Sequence, residues 1–331
     1  MSLITVIMPV YNGEKYLAES IDSILNQSFA DFKLLVLNDN SNDSTLDILN
    51  NYLKKDKRVE VIHKTTNHGP AHLRNEGIKL ATTKYVALQD ADDIALPTRF
   101  EKQINVLEQN PEIGLCGTWF TIFGDKKEKI IKHSINHDAL KVQFLTSCGI
   151  GNSTVMLKKD ILGYLVFEDQ FVPAEDYGLW SQLIGITQFY NIPESLLRYR
   201  WHPNNISQTK AKNLKKAEVL IKKRQLTHLG ISEKDPHIDF YLNSVSLRRK
   251  LNTTIIKSTI EASKALKSKN LKTKYYNQDL FEAHINRTII RTIRNSSHPD
   301  LAFLRYLKKD SGYFKYIPAL DKLVLFLRCL F

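Results

Sequence analysis

Between residues 3 and 107 an apolar run, a polar turn and a segment of helical periodicity follow one another four times. Residues 3–10 (LITVIMPV) are rich in β-branched side chains and stop at Tyr11-Asn12-Gly13, a turn signal. Leu17, Ile21, Ile24 and Leu25 then recur at helical spacing within residues 16–27. The order repeats, with strands predicted at 32–37, 59–63 and 85–88 and helices at 45–53, 71–80 and 97–107. Strands apolar along their whole length are covered on both faces, and strands joined through helices run parallel. The expected fold class is therefore α/β, a Rossmann-like, mostly parallel sheet flanked by helices.

In such sheets ligands bind beyond the carboxyl ends of the strands. Every exit is polar here: Tyr11-Asn12-Gly13, residues 38–43 (NDNSND), residues 67–70 (NHGP) and Asp90-Ala91-Asp92-Asp93. No G-x-G-x-x-G follows the first strand and no G-x-x-x-x-G-K-[ST] occurs, which disfavours a dinucleotide dehydrogenase and a P-loop NTPase.

Asp90, Asp92 and Asp93 put three carboxylates at one strand exit, a donor set suited to a hard divalent cation that also holds phosphate oxygens. The competing explanation is a helix N-cap cluster ahead of Pro97. Asp39 follows the second strand directly, where a carboxylate accepts the N–H of a nucleobase edge; Asp43 or Ser44 serves better as the cap of the next helix. Together the two exits read as a nucleoside diphosphate site. Arg74, early in the helix after Gly69-Pro70, is placed to reach a phosphate or to pair with Asp39.

Glu175-Asp176 opens an amphipathic helix, where the macrodipole favours ionised carboxylates. Capping explains one acid; two, with Trp180 on one helical face, also suit a general base facing a sugar pocket. His202, beyond a strand at 195–198, adds an imidazole able to complete a metal shell or hold a phosphate. Asn152 in Gly149-Ile150-Gly151-Asn152 is expected to line the donor-sugar pocket, and Arg200 beside His202 to border the same donor and acceptor pocket.

Charge divides the chain. Residues 1–207 carry 21 Lys and Arg against 25 Asp and Glu, a net of −4, whereas residues 208–331 carry 26 against 10, a net of +16. The boundary expected near residue 207 separates a catalytic domain (1–207) from a basic helical region (208–331). Helices are predicted at 210–229, 252–267, 280–294 and 319–331, the last with Leu320, Leu323, Val324 and Leu327 on one face. Basic amphipathic helices suit an anionic bilayer surface; packing on the catalytic domain or on a sister subunit of a homo-oligomer is the alternative. Nucleic acid is disfavoured, because few aromatics interleave with the basic runs and no reader motif occurs.

Cys116, Cys148 and Cys329 are too widely spaced for a disulfide framework or a zinc site. The opening residues lack a signal-peptide pattern, and no run approaches the ~20 apolar residues of a membrane span. The expected setting is cytoplasmic, peripheral at the inner face of the plasma membrane.

Six segments in order, ITVIMPVYNGEKYLAESIDSILNQSF, LNDNSNDST, HLRNEGI, ALQDADDIALPTRF, AEDYGLW and YRWHPNNIS, resemble the family 2 glycosyltransferases, inverting enzymes of GT-A fold, of the bacterial surface-polysaccharide type. The resemblance covers residues 3–207 and implies a nucleotide-binding half (1–110) and a half for donor sugar and acceptor (111–207). It implies that Pro9, Tyr11 and Asp39 hold uridine, with Asn12, Arg74 and Ala91 in the same nucleotide site. Asp90 and Asp92 would hold ribose and a Mn2+ or Mg2+ ion, with His202 as a further ligand, and Asp176, beside Glu175, would be the catalytic base. One departure stands out: Asn38-Asp39-Asn40-Ser41 replaces Asp-Asp-Gly-Ser, and Asn tolerates the left-handed backbone that Gly supplies. The Q-x-x-R-W signature of processive synthases is missing, which favours addition of one sugar per encounter.

The expected activity is transfer of one sugar from a nucleoside-diphosphate sugar, UDP-linked, to a hydroxyl of a glycan, lipid-linked or polyol-phosphate acceptor. A sugar-nucleotide nucleotidyltransferase shares the sheet and the paired carboxylates but has no use for Glu175-Asp176.

Overall fold

A computed structural model describes residues 2–245 and 251–330. The described chain divides into two compact units, 1–140 with 148–218 and 141–147 with 219–331. The charge break at residue 207 precedes that division.

The first unit opens with β1 (Ile4–Val10), α1 (Leu17–Leu25), β2 (Phe32–Asn38), α2 (Thr45–Lys55), β3 (Val59–His63), α3 (Pro70–Leu80) and β4 (Tyr85–Leu88). β1, β2 and β4 are buried along nearly their whole length, so helices must cover both faces. The pairings β3-β2-β1-β4 are all parallel. The remainder of the unit is β5 (Ile94–Ala95), α4 (Arg99–Gln109), β6 (Ile113–Gly124), β7 (Lys129–Ile131), the start of α5 (His137–Gln143), β8 (Met156–Lys158), α6 (Glu175–Leu183), β9 (Gln188–Trp201), α7 (Ile206–Thr209) and the first turns of α8 (Ala211–Thr227). They extend the sheet to the order β3-β2-β1-β4-β8-β6-β9-β5, with β7 on β6. β6 and β9 pair in parallel, whereas β5, β7 and β8 join antiparallel.

Fully buried Arg99 fastens this junction. Its guanidinium donates to the carbonyl of Leu88 at 2.9 Å, to that of Val155 at 3.3 Å and to Gln89 Oε1 at 2.8 Å. Gly77 lets α3 lie directly on β1: a Cβ there would sit 2.7 Å from Ile7 Cγ2. Gly77→Ala is therefore expected to destabilise the first unit by up to about 2 kcal/mol net, an overpacking cost of about 1–3 kcal/mol set against the ~1 kcal/mol helix-propensity gain of Ala. A lower denaturant midpoint by tryptophan fluorescence checks it, since all three tryptophans lie in this unit.

The second unit is helical. It holds the end of α8, then α9 (Pro236–Val245), α10 (Thr253–Thr273), α11 (Gln278–Arg294), α12 (Leu301–Lys309) and α13 (Ala319–Arg328). Three helices start on a side-chain cap: Asn252, Asn277 and Asp300 accept from the backbone N–H of Ile255, Leu280 and Phe303. Ile256, Ile260, Phe281, Ile285, Ile289, Phe303 and Leu307 form its core. α9 and α12 were not expected from the sequence; both are short, although Phe303, Leu304 and Leu307 of α12 do keep helical spacing. The last residue of the predicted helix at 319–331, Phe331, lies outside the described residues. No helix is long and apolar enough to cross a membrane among the described residues.

Candidate active site

Two loops at adjoining strand exits are laced together. Asn12 N–H donates to Ser41 Oγ at 2.9 Å, Asn42 N–H to Asn12 Oδ1 at 3.0 Å, and Gly13 N–H to Thr45 Oγ1 at 2.8 Å. Asn12 and Asn40 both hold positive φ, 50° and 60°, the conformation that Asn accepts in place of Gly. Asp43 takes the amides of Glu14 and Thr45 at 3.0 Å each, so it starts α2 as expected and leaves Asp39 free of that duty.

Asp39 is 2% exposed. Its Oδ1 accepts from His68 N–H and its Oδ2 from Gly69 N–H, both at 2.8 Å. Each carboxylate oxygen keeps a second lone pair for an incoming donor.

Arg74 does not pair with Asp39, one of the two roles the sequence left open. Asp39 is already satisfied by two amides, and Arg74 stands on the buried side of α3, where it meets other acids. Its Nη2 donates to Asp90 Oδ1 at 2.8 Å and its Nη1 to Glu175 Oε1 at 2.6 Å. Burial opposes the guanidinium charge, but Asp90 and Glu175 more than offset it and hold the group above its ordinary range. The same pairing keeps Asp90 below the usual carboxylate range against its own burial, helped by Ser153 and Asn152. Asn152 Nδ2 lies 3.2 Å from Asp90 Oδ1.

Asp92 Oδ2 lies 3.1 Å from His202 Nε2 and 3.2 Å from Asn205 Nδ2. Asp93 is wholly buried: one oxygen accepts Arg200 N–H at 2.9 Å and the other has no partner. Burial, then repulsion from Asp92 and Asp90, pushes its carboxyl well above the ordinary value. The cluster is not a cap, since Thr98 precedes α4 and the acids form a turn ahead of β5.

Asp176, at the N-terminal end of α6, is pushed up to about 7, first by burial and then by neighbouring Glu175, against the Tyr177 amide that donates to it at 2.7 Å. Glu175 gives one oxygen to Arg74 and keeps the other unpaired.

Asp39, Arg74 and the acids of the clusters at 90–93 and 175–176 face one cavity of about 780 Å³ within the first unit. Pro9, Tyr11, Asn12, Asp39, Arg74, Asp90, Ala91, Asp92, Asn152, Glu175, Asp176 and His202 line it. Trp180 and Arg200 do not, and both expectations are corrected. Trp180 is 0% exposed and packs edge-on against Phe167, because α6 turns Tyr177, Leu179, Trp180 and Leu183 into the core and leaves only its first turn at the cavity. Arg200 is held outside the cavity: its Nε donates to Asp92 O at 2.9 Å, it pairs with Glu19, and its guanidinium covers Tyr16 and Phe123 at 4.4 and 4.5 Å. Ile150 is likewise buried, although Gly151 beside it lines the cavity.

Ser153, Asn205, Tyr199 and Phe120 also line the cavity and were not singled out in the sequence. Asn205 was signalled by its place in YRWHPNNIS. Tyr199 and Phe120 come from the parallel β6–β9 pair, whose register is broken by irregularities that a linear pattern does not reveal.

Among the described residues, no three His, Cys, Asp or Glu side chains converge into a ready-made metal cluster. Asp92 and His202, 3.1 Å apart at hydrogen-bond distance, are a carboxylate and an imidazole, donor types that divalent cations accept.

The glycosyl transferase family 2 model matches residues 5–162. An uncharacterised glycosyltransferase of Haemophilus influenzae is 33% identical over 261 residues, covering 74% of this chain and 79% of that protein. The UDP-Glc:alpha-D-GlcNAc-diphosphoundecaprenol beta-1,3-glucosyltransferase WfgD of Escherichia coli is 31% identical over 218 residues, 65% of this chain and 83% of that one. In three dimensions the chain is similar to S. aureus TarS 1-349, solved in complex with UDP-GlcNAc, with a TM-score of 0.60 and 18% identity over 88% of this chain and 90% of that one. That likeness is one of fold, GT-A, as the sequence motifs implied. Ordered motifs, sheet topology and relatives that share most of their length converge on one assignment: the chain belongs to the family 2 glycosyltransferases.

Proposed function

We propose that this glycosyltransferase moves one sugar from a UDP-sugar to a hydroxyl of a lipid-linked or polymeric surface-glycan acceptor, with inversion at the anomeric carbon and with a divalent cation, Mn2+ or Mg2+. The observation that carries the proposal is the meeting of Asp90 and Asp92 with Glu175 and Asp176, distant in the chain, in one cavity. The donor class has further support in the UDP-Glc specificity named for WfgD and in the UDP-GlcNAc bound to TarS.

In this mechanism residues 1–110 hold the nucleotide and 111–207 the sugar and acceptor. Asp39, its orientation fixed by two amides, takes an N–H of the base, beside Pro9, Tyr11 and Asn12. Arg74 is engaged by two carboxylates, so it orients Asp90 and Glu175. Asp92 and His202 would hold the cation, which supplies Lewis-acid neutralisation of the leaving diphosphate. The acceptor hydroxyl gives its proton to Asp176 as it attacks the face of the sugar opposite the diphosphate, and this back-side displacement inverts the centre. A carboxylate near 7 is basic enough to accept that proton and still largely ionised at slightly alkaline pH. Cytoplasmic action at the inner face of the plasma membrane accords with the three free cysteines.

A panel of UDP- and GDP-sugars assayed with Mn2+ for released nucleotide tests the proposal. UDP release from a UDP-sugar is expected; pyrophosphate release would mark nucleotidyl transfer instead. Asp92→Ala should lower kcat/KM for the donor by about 10²-fold or more, and EDTA should abolish turnover, since a bound cation is worth several kcal/mol of charge stabilisation. Wild-type rates in Asp92→Ala, or indifference to EDTA, would refute the metal assignment.

A further inference from the structure

α13 is mounted inside out. Of its residues only Leu325 is buried among the apolar ones, while Leu320, Leu323, Val324, Phe326 and Leu327 are between 43% and 71% exposed, with Leu330 just beyond at 49%. At 3.6 residues per turn these six project within an arc of about 160° centred opposite Leu325. Asp321 and Arg328 share one flank of Leu325 and anchor the helix to the protein, while Lys322 lies on the other flank. Arg328 donates to the carbonyl of Arg294 at 2.8 Å and to that of Ser296, and Asp321 pairs with Arg294. An ordinary surface helix has the reverse arrangement.

Basic and aromatic groups frame this face at its N-terminal end. The ammonium groups of Lys322 and Lys308 lie 4.9 and 5.6 Å from the centre of the Phe314 ring, and that of Lys315 lies 5.0 Å from Tyr316, itself 42% exposed. Residues 308–330 carry five Lys and Arg against two Asp. We infer that the outward face of α13 seats in the headgroup boundary of an anionic bilayer, its leucines and Phe326 among the acyl chains and Lys308, Lys315 and Lys322 against the phosphates. A ten-residue helix, about 15 Å long, lies in the interface and does not span a core of about 30 Å. A second copy of the chain fits the face poorly. The basic rim of the face, five Lys and Arg against two Asp over residues 308–330, complements an anionic surface and not a second copy carrying the same charge. The inference is independent of the donor and acceptor assigned above.

The test is flotation of the full chain with vesicles of phosphatidylcholine alone or with 30 mol% phosphatidylglycerol as the probe composition, a ratio of about one anionic lipid in three. Binding to the anionic vesicles, weakened by salt, is expected, with little to the neutral ones. Leu323→Glu/Leu327→Glu should lower apparent vesicle affinity at least ~10-fold with UDP release unchanged. Failure of the wild-type chain to float, or equal binding by the double variant, would overturn the inference. So would a lipid-free dimer that the double variant dissolves, which would assign the face to a second copy. Should the variant misfold, Phe326→Trp decides: its fluorescence should be quenched by brominated lipid beyond the wild-type signal, and an unquenched Trp at that position would refute membrane seating.

Discussion

Replacing Asp176 by Asn is expected to lower kcat by about 10²–10⁴-fold with little change in donor KM, the range that loss of a positioned general base produces. The amide fills the same space at the start of α6 and accepts no proton. Steady-state UDP release with acceptor present reads the loss, while donor binding by calorimetry should stay near wild type. A variant retaining kcat would remove Asp176 from the chemistry. Burial and Glu175 push Asp176 up to about 7, so kcat/KM should fall as pH drops through about 7, when the base becomes protonated. Stability has the opposite sense. An unfolded Asp ionises near 4, so between about 4 and 7 the folded chain holds the extra proton, and this group's contribution declines as pH rises across that window. Asp176→Asn should accordingly melt higher than wild type at pH 8 and close to it at pH 4. Catalysis and stability thus make opposite demands on one buried acid.

The second large effect is structural. Arg74→Met should destabilise the first unit by about 3–5 kcal/mol, because it leaves Asp90 and Glu175 without the cation that compensates their burial. The Arg74 and Glu175 side chains are only 9% and 7% exposed, so water cannot replace the partner that Glu175 loses, whereas Asp90, 30% exposed at the cavity, is solvated in part. Adding Glu175→Gln to Arg74→Met should recover part of the loss, since the amide buries no charge. Chemical denaturation followed by tryptophan fluorescence is the suitable readout: Trp180 packs on Phe167, over which the Arg74 guanidinium lies at 5.7 Å. A small effect, with no recovery in the double variant, would show that the ion pair contributes nothing net.

Much of the first unit was legible because each of its opening elements is specified locally. β1, β2 and β4 are apolar along their length, α1 and α2 show clean helical spacing, and Asn12 and Asn40 occupy turn positions whose backbone demands are readable one residue at a time. The acids stood out because charged residues directly after apolar strands have no structural reason to be there. The second half of the sheet was harder. β8 is three residues long, and β6 and β9 are long, irregular partners that become strands by pairing with each other. Trp180 and Arg200 were misplaced for a related reason: helical spacing for Trp180 and strand alternation for Arg200 give the face a residue occupies, and only packing says which face meets the core.

Sequence alone determined the alternation that makes the sheet, the carboxylates at its edge and the basic final third, since each depends on neighbours along the chain and on the short-range physics of strands, turns and helices. The tertiary structure alone decided that Arg74 joins Asp90 to Glu175, that Asp92 shares its oxygen with His202 and Asn205, and that α13 turns its leucines outward. Those outcomes rest on which buried charge finds which counter-charge across the fold, a choice set by the desolvation of groups that lie far apart in the chain.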